Sequence, residues 1–182
     1  MLVLGISGSL RAGSWNTAFL RAAAELAPPG VELSIYDGLK AIPPFDEDDE
    51  ALRHAAVDGL RLEIGAADAL LIATPEYNGS IPGQLKNALD WASRPFGRSA
   101  LRRKPVAVVG ASTGLFGAQW AQDELRRSLG RAGADVIEAS FALAEAPRRF
   151  DRRGRLAGAD DRTELARILV GFAARAGARA AA

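Results

Sequence analysis

The chain is 182 residues long, 48% apolar and 25% charged, a composition that buries a core and keeps a soluble surface. Its 23 Lys and Arg stand against 22 Asp and Glu, and that balance gives no electrostatic basis for nucleic acid as the main partner. With no cysteine and a single histidine, His54, disulfides, thiolate metal sites and cysteine nucleophiles are excluded, and zinc clusters and Ser-His chemistry are disfavoured.

Leu2 to Ser7 is an apolar run closed by glycine and serine, and reads as a buried strand. Because it begins beside Met1, no charged leader is expected before it; no apolar run reaches the roughly 18 residues of a membrane span. A cytoplasmic protein with no membrane partner is the expectation. Asn16 to Leu26 has Ala18, Phe19, Ala22, Ala23 and Leu26 at helical spacing, and Pro28-Pro29-Gly30 stops it. Val31 to Tyr36 alternates like a strand, and a loop from Asp37 to Asp49 follows. Glu50 to Ala66 is helical in pattern, although Gly59 weakens it by about 1 kcal/mol. Asp68 to Thr74 reads as a fully buried strand. After the loop Pro75 to Ile81, Pro82 stands where a first helical turn tolerates proline, and the helix continues through Leu85, Ala88, Leu89 and Trp91. A strand at Pro105 to Val109, a helix at Gln119 to Ala132 and a fifth strand near Asp135 to Phe141 complete the alternation. Thr163 to Ala174 is a last helix with Leu165, Ile168, Leu169 and Phe172 on one face, and the tail from Ala173 reads as frayed. Strands that are continuous apolar runs, separated by helices, predict one α/β domain over residues 1–182, a doubly wound parallel sheet of five strands covered on both faces.

In such sheets ligands bind beyond the carboxyl ends of the strands. The loop after the first strand, Gly8-Ser9-Leu10-Arg11-Ala12-Gly13-Ser14-Trp15-Asn16-Thr17, brings flexible backbone, hydroxyls, an amide and a guanidinium to a helix N-terminus, a setting suited to phosphate. A triphosphate loop would need lysine where Ser14 stands. The dinucleotide fingerprint fails because Ser7 occupies its second glycine position. The nucleophile elbow fails at Ser9 and lacks a triad histidine. A site for one terminal phosphate is the reading that survives. The second loop, Thr74-Pro75-Glu76-Tyr77-Asn78-Gly79-Ser80-Ile81-Pro82-Gly83, is stiffened by two prolines and can face the edge of a flat ring. The third, Gly110-Ala111-Ser112-Thr113-Gly114-Leu115-Phe116-Gly117, can reach the far end of the same ring through backbone N–H groups. Each alone is also readable as an ordinary turn. The three follow strands one, three and four, which are neighbours in a flavodoxin-like 2-1-3-4-5 order, and their convergence on one crevice is the stronger argument.

Gly8-Ser9-x-Arg11-x-x-Ser14-x-Asn16, followed by Pro75-Glu76-Tyr77-Asn78-Gly79-Ser80-Ile81-Pro82-Gly83-x-Leu85-Lys86-Asn87-Ala88-x-Asp90-Trp91, resembles the NADPH-dependent FMN reductase family, which includes bacterial chromate and quinone reductases and some azoreductases. The resemblance runs from about Met1 to Phe141. It implies a flavodoxin-like fold, bound FMN, NADPH or NADH as electron donor, and hydride transfer to quinones or similar small acceptors. By that likeness Ser9, Arg11, Ser14, Asn16 and Thr17, with Trp15 among them, hold the phosphate. Pro75, Glu76, Tyr77, Asn78 and Gly79 border the isoalloxazine, and Ser112, Thr113 and Gly114 approach its other edge. The flavin carries the chemistry, so no side chain is nominated as general acid or base.

The acidic run Asp46 to Glu50 reads as a solvated face rather than a metal site, His54 as a surface residue on a helix, and Lys86 with Asp90 as a helical ion pair. Arg148, Arg149, Arg152, Arg153 and Arg155 cluster beyond the region of resemblance; they read as solvated, or as a seat for the 2′-phosphate of NADPH. Trp91, Phe96 and Trp120 suggest a homodimer or homotetramer. Two other readings stay open: a non-catalytic electron carrier like flavodoxin, disfavoured by the near-neutral charge, and a regulatory module without flavin, disfavoured by the phosphate loop.

Overall fold

Strands apolar along their whole length have two faces to cover, and helices lying between successive strands can cover both. The computed structural model, which describes residues 1–139 and 141–180, has that arrangement. Its elements are β1 (Leu2–Ser7), α1 (Trp15–Glu25), β2 (Glu32–Tyr36), α2 (Ala55–Ala66), β3 (Ala69–Ala73), α3 (Gly83–Ala92), β4 (Pro105–Ala111), α4 (Gln119–Arg131), β5 (Asp135–Val136), β6 (Ala142–Leu143), α5 (Ala146–Arg149) and α6 (Ala159–Ala180). The strands are parallel in the order β2-β1-β3-β4-β5, with β6 also paired to β4. The flavodoxin-like order expected from the sequence is present.

β3 and β4 are buried at every position. Their side chains divide by the period of two that a strand imposes. Leu70, Ile72, Val106 and Val108 enter a core closed by Leu60 and Ile64 of α2, Leu85 and Trp91 of α3, and Leu125 of α4. Ala69, Leu71, Ala107 and Val109 enter a second core closed by Phe19 of α1 and Leu165, Leu169 and Phe172 of α6. Helices running back against parallel strands leave all the strand-to-helix loops at one edge of the sheet, and there the site is built.

Four expectations are corrected. The second helix starts at Ala55 rather than Glu50, because the acids before it are drawn into turns in which Arg94 pairs with Glu47 at 3.1 Å and Glu50 at 2.9 Å. His54 therefore sits at the N-cap rather than on the helix, with its ring 5.5 Å from that of Trp91. The fifth strand is broken in two: Val106 faces Val136 and Gly110 faces Ala142, so the edge uses six residues where β4 uses four. The break follows Ile137, whose carbonyl accepts from the N–H of Ala139 at 2.7 Å; Ser140, within the expected strand, lies outside the described residues. The last helix reaches Ala180, past the point where the tail reads as frayed, because Ala176 continues the buried stripe of Leu165, Leu169 and Phe172. Residues 181 and 182 lie outside the described residues.

β6 approaches the loop after β4 so closely that Gly117 has no room for a side chain. At φ +57° its Cβ would stand 2.3 Å from the carbonyl carbon of Ala142, whereas a Cβ on Gly114 would find nothing nearer than Ser112 Oγ at 3.8 Å. Gly117→Ala is expected to lose about 2–4 kcal/mol of stability and Gly114→Ala no more than about 0.5 kcal/mol. Urea denaturation of both variants checks this, and equal losses would contradict the approach of β6.

Candidate functional site

The three loops named from the sequence are bonded to one another at the carboxyl edge of β1, β3 and β4. The Gly8 N–H donates to the Ala73 carbonyl at 2.8 Å, and the absent side chain of Gly8 leaves room for Leu85 and Pro75, which a Cβ would meet at 2.8 and 3.3 Å. The Thr74 N–H donates to the Val109 carbonyl at 3.0 Å, joining the second loop to β4. Asn16 spans the widest gap. Its Nδ2 donates to the Ala111 carbonyl at 3.0 Å and its Oδ1 accepts from the Ala111 N–H at 2.9 Å. The convergence expected from strand order is thus physical contact.

Within the first loop, Ser14 caps α1 by accepting from the Thr17 N–H at 3.2 Å. The Thr17 hydroxyl donates to Ser7 Oγ at 2.9 Å, and Trp15 stacks on Phe150 with centroids 5.5 Å apart. The N–H groups of Leu10, Arg11, Ala12, Gly13, Trp15 and Asn16 meet no acceptor among the described residues. Arg11 is exposed and has no ion pair among them. Asn16 is 2% exposed with both amide atoms engaged, so what it can offer an anion is its backbone N–H.

The second loop turns at Asn78 and Gly79, whose φ angles of 53° and 76° define a two-residue turn of the type asparagine-glycine favours. Tyr77 and Ser80 close it with mutual backbone bonds of 3.0 and 3.1 Å, and Tyr77 is left 52% exposed. Pro75 is buried, and the half-buried Glu76 reaches α4. Its Oε2 accepts from the Ala121 N–H at 3.2 Å and caps a helix whose own N-cap, Ala118, has no side chain to do so. That role was not legible in the sequence, because Glu76 and Ala121 are 45 residues apart. In the third loop Ser112 pairs through its backbone with Leu143 and Ala146, while Thr113, Gly114, Leu115 and Phe116 face outward. Gln122, 1% exposed, holds this loop by donating to the Gly117 carbonyl at 2.9 Å. Phe116 and Trp120 pack with centroids 4.8 Å apart, and both remain more than half exposed.

A cavity of about 450 Å³ adjoins the first loop on the β2 side, with Ser9, Arg11 and Thr17 in its wall. Arg21 and Lys40 line it too, two residues that belong to no motif and that sequence reasoning passed over. A cavity of about 500 Å³ lies at the other edge of the sheet, between the C-terminal ends of α3 and α4, and touches none of the three loops. Elsewhere, Lys86 pairs with Asp90 at 2.6 Å as its spacing predicts. No group of acids or histidine suited to a metal ion occurs among the described residues.

A doubly wound parallel sheet with three linked loops and a row of free N–H donors at its carboxyl edge defines a flavodoxin-like binding fold. The profile of the NADPH-dependent FMN reductase family matches residues 1–148. An NAD(P)H-dependent FMN reductase of Pseudomonas aeruginosa is 47% identical over 156 residues, 85% of this chain and 83% of that protein. A 2-hydroxy-1,4-benzoquinone reductase of a Burkholderia species is 36% identical over 172 residues, 93% of this chain and 92% of that one. The flavoenzyme NAD(P)H:(acceptor) oxidoreductase FerB of Paracoccus denitrificans superposes with a TM-score of 0.89 at 30% identity, covering 98% of both chains. The chain belongs to the NADPH-dependent FMN reductase family: it is an oxidoreductase that uses FMN, with NAD(P)H as donor.

Truncating Asn16 leaves the N–H and C=O of Ala111 buried without partners, each costing about 1–3 kcal/mol. Asn16→Ala is therefore expected to lose about 2–4 kcal/mol in urea denaturation. Because the clamp shapes the crevice without touching a phosphate, flavin titration should show FMN and riboflavin weakened by the same factor. A loss confined to FMN would make the Asn16 side chain a phosphate ligand.

Proposed function

We propose that this protein, working as a single FMN-binding domain in the cytoplasm, passes electrons from NADPH or NADH to quinones or similar small acceptors. The observation that carries the site assignment is the set of N–H groups from Leu10 to Gly13 and at Trp15 and Asn16 that meet no acceptor among the described residues, beside the exposed guanidinium of Arg11, which has no ion pair among them. That donor set fits a phosphate at a helix N-terminus. Ser9 and Thr17 add hydroxyls, and Ser14 keeps the first turn of α1 in register. Pro75, the Tyr77–Ser80 turn with Asn78 and Gly79, and the backbone of Ser112, Thr113 and Gly114 then border a flat ring laid along the edge of the sheet. Glu76 positions the second loop against α4. When bound, FMN supplies the hydride chemistry. The quinone class of acceptor is supported by the Burkholderia relative's named activity and by the open, aromatic side of the crevice at Tyr77, Phe116 and Trp120.

The first loop already occupies the place where a dinucleotide fingerprint would stand, and its sequence lacks that fingerprint. Donor and acceptor are therefore assigned to the same open side of the crevice and exclude each other. The purified protein is expected to be yellow with one FMN per chain. NADPH and quinone should give parallel double-reciprocal lines. A colourless protein that takes up no added FMN would overturn the reading, and intersecting lines would overturn the shared side.

A homodimer or homotetramer is proposed with it. Trp91 does not support it, being 1% exposed and in the core, but Phe96 at 90% and Trp120 at 53% exposure leave large apolar surface to cover. Light scattering at micromolar concentration should return at least twice the 19.2 kDa chain mass, and a monomer would refute the assembly.

A further inference from the structure

We propose that Arg21 and Lys40 join Arg11 to form a binding site for a phosphate monoester in the cavity between the first loop and the end of β2. The proposal rests on the flavoenzyme reading above and adds two residues to it. Arg21 stands one turn beyond Thr17 on α1, and Lys40 lies in the short turn Gly38–Ala41 that follows β2. The fold brings both to the wall of one cavity with Arg11, Ser9 and Thr17.

Charge distinguishes this cavity. Its wall carries three cations against one carboxylate, Asp37, and none of Arg11, Arg21 and Lys40 has an ion pair or side-chain hydrogen bond among the described residues. The Arg148 to Arg155 segment, which the sequence offers for the same chemistry, differs. Arg148 is held by Glu145 at 2.7 Å, Arg149 by Asp161 at 3.0 Å and Arg155 by Asp151 at 3.2 Å, so most of its charge is already neutralised. An excess of two positive charges suits a phosphate monoester, which carries about −1.5 to −2 at neutral pH. The cavity's volume of about 450 Å³ admits the sugar attached to such a group as well as the group itself. Exposed cations of this kind act through screened charge and contribute modestly each, so both must be removed for a clear reading.

Two participants in the reaction carry a phosphate monoester: FMN at its terminal phosphate and NADPH at its 2′-phosphate. Riboflavin and NADH are the same molecules without it. The full-length Arg21→Ala/Lys40→Ala double variant is titrated with FMN and riboflavin, and kcat/KM is measured with NADPH and NADH. Weakening of FMN by about 3- to 30-fold with riboflavin held within about twofold supports the proposal and assigns the cavity to the flavin phosphate. Unchanged flavin binding with kcat/KM lowered by that factor for NADPH but not NADH supports it and assigns the cavity to the donor. The charge-conserving Arg21→Lys/Lys40→Arg variant should keep whichever selectivity is seen. No change, or equal changes with and without the phosphate, would overturn the proposal. A wild-type chain that binds neither flavin would instead overturn the flavoenzyme reading, which the double variant leaves untouched.

Discussion

The two hydrogen bonds between the Asn16 amide and the Ala111 backbone join the first turn of α1 to the end of β4, across the strand that separates β1 from β4. Backbone ladders tie each loop to its neighbour, and this contact closes the set. Because it is buried, losing it would leave two backbone polar groups unsatisfied, and that penalty makes the arrangement discrete rather than adjustable. The Asn16 amide ties the first loop directly to the start of the third.

Around this clamp the loops are rigidified by different means. Gly8 lets β1 end against Pro75 and Leu85; Gly117 lets the third loop lie on β6; the Asn78-Gly79 turn folds the second loop on itself. Glu76 and Gln122 fasten the second and third loops to α4. Polar side chains that look like ligands in a motif are in several cases the framework. The groups left for a ligand are mainly backbone N–H donors, the exposed guanidinium of Arg11 and outward hydroxyls. That division suits a family in which a bound flavin carries the electrons and the chain's task is to hold it in one orientation.

The proposed phosphate cavity extends the same logic of charge left unpaired. Most arginines on this surface that face an acid have closed on it, including those near residue 150. Arg21 and Lys40 have not: Asp37 is the one carboxylate among the described residues of their cavity wall, and it forms no ion pair with the three cations. A near-neutral overall charge conceals such local imbalance, which arises where elements distant in sequence meet.

The sequence by itself determined the parallel sheet, its strand order and the three loops that would carry the site. The sheet and the loops follow from local signals, apolar runs such as Ala69–Ala73 that must be covered on both faces, helices between them, and glycine or proline where the chain turns, whereas the strand order is what the flavodoxin-like family resemblance implies. It also determined family membership, through two motifs whose residues are close together in the chain. Only the tertiary structure decided what the motif residues do. Asn16 against Ala111 spans 95 residues, Glu76 against Ala121 spans 45, and neither pairing leaves a trace in local pattern. The split of the edge strand, the N-cap position of His54 and the continuation of α6 to Ala180 were likewise set by contacts rather than propensity. A buried polar atom takes whichever partner the fold presents, and that partner is fixed only when the whole sheet is in place.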